Sequence, residues 1–155
     1  MHMKRVRTVL AIAAAIGALT LTGCAADPDM SGLEQDLATI DGVNGSMAYA
    51  THSGAPWNTQ VVVVLFLDDP SDQTIVTTTQ AAAPVLADDP ASAGREVSIY
   101  FVDGDRGDYG RSSEAFRDAV VITPELAESL GVTMPGGSER LPLTAEDVRR
   151  IADGS

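Results

Sequence analysis

The chain has 155 residues, and 22 acidic residues against 10 basic ones give it a formal net charge of −12. That balance argues against nucleic-acid binding, which needs clustered Lys and Arg facing phosphate, and against docking onto anionic lipid headgroups. Cys24 is the single cysteine, which excludes internal disulfides and leaves stability to packing.

The chain opens on a targeting pattern. Lys4, Arg5 and Arg7 precede an apolar run of 13 residues from Val9 to Leu21, followed by small residues. A charged start, a short apolar core and a small-residue cut site make a secretory signal. The run falls well short of the ~20 residues of a spanning helix.

With Leu21-Thr22-Gly23-Cys24 at its end, this segment resembles the signal peptide and lipobox of bacterial lipoproteins. The resemblance implies cleavage of residues 1–23. It also implies a diacylglyceryl thioether, usually with an N-acyl chain, on Cys24, and residence on the extracytoplasmic face of the cell membrane. More than one acyl chain is what stable anchoring requires. The alternative is a plain secreted protein with an unmodified cysteine. Ala25 is not the Asp that resembles an inner-membrane retention signal in double-membrane bacteria. The resemblance covers the first 24 residues and implies nothing about the domain behind them.

Without residues 1–23 the chain keeps 132 residues, seven basic against 22 acidic, a net charge of −15. Every remaining cation is Arg. Residues 24–30 read as a tether and 31–155 as one globular domain, long enough to bury a core. The six residues Ala25 to Met30 span at most ~20 Å when extended, so the domain would be held close to the bilayer. That reach suits a membrane-embedded partner better than one deep in the cell wall.

Within the domain, the first helix is expected over Gly32–Ile40. Ser31 and Glu34 stand at capping-box spacing, Leu33, Leu37 and Ile40 share a face, and Gly42 ends it. A strand over Ser46–His52 and another over Gln60–Leu67 flank a loop with Gly54 and Pro56, which reads as a hairpin. The second helix is expected to start at Asp69-Pro70 and to kink or end near Ala83, because Pro84 interrupts its pattern. A third strand over Glu96–Val102 alternates, with Val97, Ile99 and Phe101 inward and Ser98 and Tyr100 outward. Ala119–Ile122 reads as a short fourth strand. A helix after Thr123-Pro124 ends at Gly131, and Thr144 and Asp147 cap a last helix carrying Val148 and Ile151.

The order α-β-β-α-β-β-α predicts an α+β domain, with a small antiparallel or mixed sheet of three to four strands and helices packed on it. Val61 to Leu67 is apolar at seven successive positions, which places that strand centrally with both faces covered. Two helices can cover one face. The other needs the C-terminal segment or another molecule.

Nucleophilic catalysis has little to draw on. His52 is the only histidine after the signal, and no Gly-x-Ser-x-Gly elbow occurs. One histidine and no free thiol give no zinc set. Asp103, Asp105 and Asp108, with Glu114 at the twelfth position counting from Asp103, partly resemble an EF-hand calcium loop. That loop wants Gly at position six and a ligand at five; here Asp108 and Gly107 hold them the other way round. The bland reading is a solvated Asp/Gly turn. Paired carboxylates for glycoside-type hydrolysis show no diagnostic spacing. Trp57, the single Trp, stands in the hairpin loop and either folds back onto the core or serves as an exposed anchor.

The expectation is a lipid-anchored extracytoplasmic protein without catalytic residues, metal or cofactor. It would act as a binding or accessory module for a membrane or cell-envelope protein partner through Trp57 and His52. The alternatives are a small carboxylate-based envelope hydrolase and a calcium- or small-ligand-binding lipoprotein.

Overall fold

A computed structural model describes residues 26–154; the expected signal peptide, lipobox and lipidation residue Cys24 lie outside them. The elements are α1 (Ser31–Leu37), β1 (Val43–His52), β2 (Thr59–Leu67), α2 (Asp72–Asp88), β3 (Val97–Asp103), α3 (Ser112–Ala115), α4 (Pro124–Ser129), β4 (Leu141–Leu143) and α5 (Ala145–Ala152). The fold is α+β, with a mixed sheet in the order β1-β2-β3-β4. β1 and β2 are antiparallel, β2 and β3 parallel, and β3 and β4 antiparallel.

The apolar run in β2 decides the architecture. Val61 to Leu67 is buried at every position, so both faces of the strand need cover. Val61, Val63, Leu65 and Leu67 enter the main core with Val97, Ile99 and Phe101 of β3, and α1, α2, α4 and α5 contribute Leu33, Leu86, Leu126 and Ile151. On the opposite face Val64 and Phe66 join Met47, Val102 and Ala115 in a smaller cluster, against which Tyr100, Tyr109, Phe116 and Ala119 pack. The second face is thus covered by the stretch that follows β3 and includes α3. It lies earlier in the chain than the C-terminal helices, and two short 3-10 turns, Arg106–Asp108 and Phe116–Asp118, flank α3.

Several expected boundaries are corrected. Ser31 does not cap α1: its own N–H is accepted by Asp29 Oδ1 at 3.0 Å, and Glu34 reaches across to β1. α1 ends at Leu37, and the chain continues through a turn to Gly42, whose φ of 83° suits only glycine without strain. α2 starts after Ser71, whose hydroxyl accepts the Thr74 N–H at 3.4 Å, so Asp69-Pro70 precedes it. It also continues through Pro84 to Asp88. The lost donor and the proline ring are tolerated because Pro84 and Gln80, the residue one turn earlier, are both exposed, where water can serve the freed carbonyl.

Ala119–Ile122 makes only isolated bridges, Val102 to Ala119 and Ile122 to Ser138. The fourth strand is Leu141–Leu143 instead. Three residues around a proline give too short a pattern for period-2 reading, and their pairing with β3 is a tertiary effect. The element order is therefore α-β-β-α-β-α-α-β-α. Thr123 and Thr144 cap α4 and α5 as expected, accepting the N–H groups of Leu126 and Asp147 at 3.2 and 3.1 Å. No described helix is long and apolar enough to cross a membrane.

Candidate functional site

Two residues singled out in the sequence, His52 and Trp57, stand at one end of the sheet. β1 ends at His52, and the register pairs His52 with Thr59 across the hairpin. The six-residue loop between them is held by Ser53 N–H to Asn58 O at 3.3 Å and Asn58 N–H to Ala55 O at 3.0 Å. Gly54, with φ 74°, supplies the left-handed turn. The loop projects its aromatic outward: Trp57 is 86% exposed, which decides against its folding back onto the core.

His52 is held from both sides. Its Nε2 lies 2.8 Å from Asp27 Oδ1, and its Nδ1 lies 3.3 Å from the Thr59 hydroxyl. Asp27 precedes α1 by four residues, so this contact brings the start of the described chain to the base of the Trp57 loop. The sequence gives no warning of it, because the pair is separated by 25 positions. From Gly42 to Leu67 the chain contains no Asp, Glu, Lys or Arg. The other carboxylate in contact with this end, Glu96, accepts from Gln60 Nε2 at 2.6 Å.

A depression of about 580 Å³ lies beside the hairpin base and includes Glu96, Arg140 and Asp147. Glu96 is engaged by Gln60. Burial pushes the Asp147 carboxyl up, but the Arg150 guanidinium together with the Thr144 hydroxyl and N–H outweighs it and holds the group below its ordinary value. A general acid needs the opposite displacement. The larger depression, about 640 Å³ near Gln80, Ser129 and Arg150, has no carboxylate in its lining.

The calcium candidates are not brought together as a ligand set. Among the described residues, no three His, Cys, Asp or Glu side chains gather where they could hold a metal ion. Glu114 is used locally: its Oε2 accepts the N–H groups of Gly110 and Arg111 at 3.0 and 3.3 Å. Asp118 likewise accepts the Tyr109 hydroxyl at 2.9 Å.

One grouping was not visible in the sequence. Tyr49 and Tyr100 flank β2 on its second face, opposite Val62 and Val64. Phe116 packs against both, with ring centroids 6.4 Å from Tyr49 and 4.3 Å from Tyr100. Burial pushes the Tyr49 phenol up, with the Ser112 hydroxyl opposing and Tyr100 adding to the rise. The alternation of β3 already sets Tyr100 outward and that of β1 sets Tyr49 on one side of its strand, but neither pattern brings them together; Phe116 carries no such signal.

No protein-family model matches the chain, and no curated protein or solved structure shows significant similarity to it.

Proposed function

We propose that this is a lipid-anchored extracytoplasmic protein, attached through Cys24, that acts as a non-enzymatic binding or accessory module at the membrane. Its contact element is the hairpin loop with Trp57 and His52. The observation that carries the reading is the near-complete exposure of Trp57 at the end of a hairpin without charged residues, in a chain otherwise rich in carboxylates. A large aromatic left in water forgoes about 1.5–3 kcal/mol of burial, and Trp is enriched where surfaces bind. The Asp27–His52 contact supports a membrane-proximal position for the loop, because Asp27 follows the lipidation residue by three positions.

The test is a crosslinked pull-down of the lipidated protein from its own membranes, beside Trp57→Ala and a secreted Cys24→Ala form. Membrane association lost in Cys24→Ala, with a crosslinked species lost in Trp57→Ala, is the expected result. Fractionation of the wild-type chain as a soluble secreted protein would overturn the anchor. Crosslinks unchanged in Trp57→Ala would move the contact element elsewhere.

A further inference from the structure

The hairpin loop is a contact element whose occupant can be named by geometry. We infer that Trp57 inserts into the headgroup region of the bilayer that holds the lipid anchor, and so fixes the orientation of the domain on the membrane. The inference rests on the lipidation of Cys24 and deepens that reading by naming the lipid surface as what the loop meets.

Chain length sets the first constraint. Asp27 is held against His52 at 2.8 Å, and Cys24 lies three positions before it. Fully extended, those positions span at most about 11 Å. His52 pairs with Thr59, and Trp57 is two positions from Thr59, about 7 Å of chain at most. The acyl chains on Cys24 must lie in the hydrocarbon. The headgroup layer of one leaflet is roughly 5–8 Å thick, so a tether this short lets the loop reach the membrane boundary. Free of the Asp27 contact, the tether would run to Met30, whose side chain is anchored in the core, and the domain could turn away.

Chemistry supplies the second. An acidic domain is repelled by anionic headgroups, so its membrane-facing end must be neutral. The loop from Ser53 to Asn58 has no charged side chain, and the carboxylates touching its base face His52 and Gln60. At the opposite end of the sheet, Asp41, Asp68, Asp69, Asp103, Asp105 and Asp108 follow or precede the strand termini. The hairpin loop is thus an uncharged aromatic tip on the side of the anchor, whereas this group of aspartates lies at the far end of the sheet. An indole with an apolar body and an N–H donor belongs at the membrane–water boundary.

Trp57 is the only Trp, so its fluorescence reports on the loop alone. The lipidated protein is reconstituted into phosphatidylcholine vesicles with brominated acyl chains, and emission and vesicle sedimentation are measured together. Wild type is expected to sediment, with blue-shifted emission quenched several-fold relative to unbrominated vesicles. Asp27→Ala is expected to sediment equally with weaker quenching. Sedimentation with unquenched, water-like emission would overturn the inference while leaving the anchor intact. Failure to sediment would overturn the anchor and the inference with it. Emission shielded only in native membranes, and not in these vesicles, would assign the loop to a protein partner and overturn the inference. Equal quenching in Asp27→Ala would overturn the orienting role of the Asp27–His52 contact.

Discussion

The Glu34 carboxylate on α1 accepts the backbone N–H of Ala48 on β1 at 2.6 Å, joining a helix side chain to the edge of the sheet. β1 has a strand neighbour on one side only, and an edge strand with free N–H groups is a template for unwanted pairing. The same helix residue also accepts, through its carbonyl, the Ser46 hydroxyl at 2.7 Å. The far edge is protected differently: β4 is three residues long with Pro142 at its centre, which leaves no donor there.

Replacing Glu34 with Ala should cost about 1–3 kcal/mol, as for a charge-assisted hydrogen bond that leaves a partly buried donor unserved. Glu34→Gln should recover part of it, because an amide oxygen still accepts. Urea unfolding gives the stability change. Hydrogen exchange at the Ala48 amide, accelerated in Glu34→Ala, shows that the edge is where it acts.

Gly45 governs how the second face is covered. β1 carries an irregularity between Val43 and Gly45, and Gly45 has φ 149° with the Arg106 side chain against its α-carbon, so that an added Cβ would overlap Arg106 Cβ. This close approach lets the turn at Arg106 pack on β1 and leads the chain to Tyr109 and Phe116 on the smaller cluster. Gly45→Ala should destabilise by about 2–4 kcal/mol through overlap and backbone strain. Gly32→Ala is the control: it sits in α1 with open space around the added carbon and should be neutral or stabilising by about 0.5–1 kcal/mol. Thermal or urea denaturation of both variants separates the local overlap from a general intolerance of glycine substitution.

Arg150 holds the end of α4. Its guanidinium donates to Leu130 O at 2.9 Å, Gly131 O at 3.0 Å and Asp147 Oδ1 at 2.8 Å. Arg150→Ala should cost about 1.5–3 kcal/mol, since hydrogen bonds to and from charged groups are lost together. It should also raise the Asp147 pKa. In the folded protein that pKa lies below the ordinary 3.8, so its stabilisation is complete above the unfolded value and disappears as pH falls through the folded one. Asp147→Asn should therefore lower stability at neutral pH and flatten its acid dependence below about pH 4. Urea midpoints measured across that range check the sign.

Local rules read much of this fold, and the misses share a physical cause. The β2 run, the alternation of Val97 to Phe101 and the threonine caps before α4 and α5 depend on neighbours a few positions away. Glu34 was misread and the strand Leu141–Leu143 was missed because distant groups decide them: the Ala48 N–H and the β3 edge. The candidate site divides the same way. Loop chemistry singled out Trp57 and His52, whereas the Asp27 contact that ties them to the segment before α1, and Phe116 between two tyrosines, required the folded chain.

Tyr109 offers a test of how the segment after β3 is fastened. Its ring packs on Phe66 with centroids 5.3 Å apart, and its hydroxyl donates to Asp118 Oδ2 at 2.9 Å. That hydrogen bond is the main reason the phenol titrates above its ordinary 10.0, with desolvation and the charges of Asp118, Asp108 and Asp103 adding to it. A folded-state value above the unfolded one contributes stability that is complete below about pH 10 and is lost as pH rises through the folded value. Asp118→Asn should bring the Tyr109 titration down towards 10.0 and remove that part of the alkaline destabilisation. Tyr49 provides the internal control, because burial is the first cause of its rise and the substitution leaves it in place. Ultraviolet titration with Tyr49→Phe and Tyr109→Phe assigns the two transitions. A high-pH transition that persists in Asp118→Asn and disappears in Tyr109→Phe would mean that burial of the ring on Phe66, and not the hydrogen bond, fastens this segment.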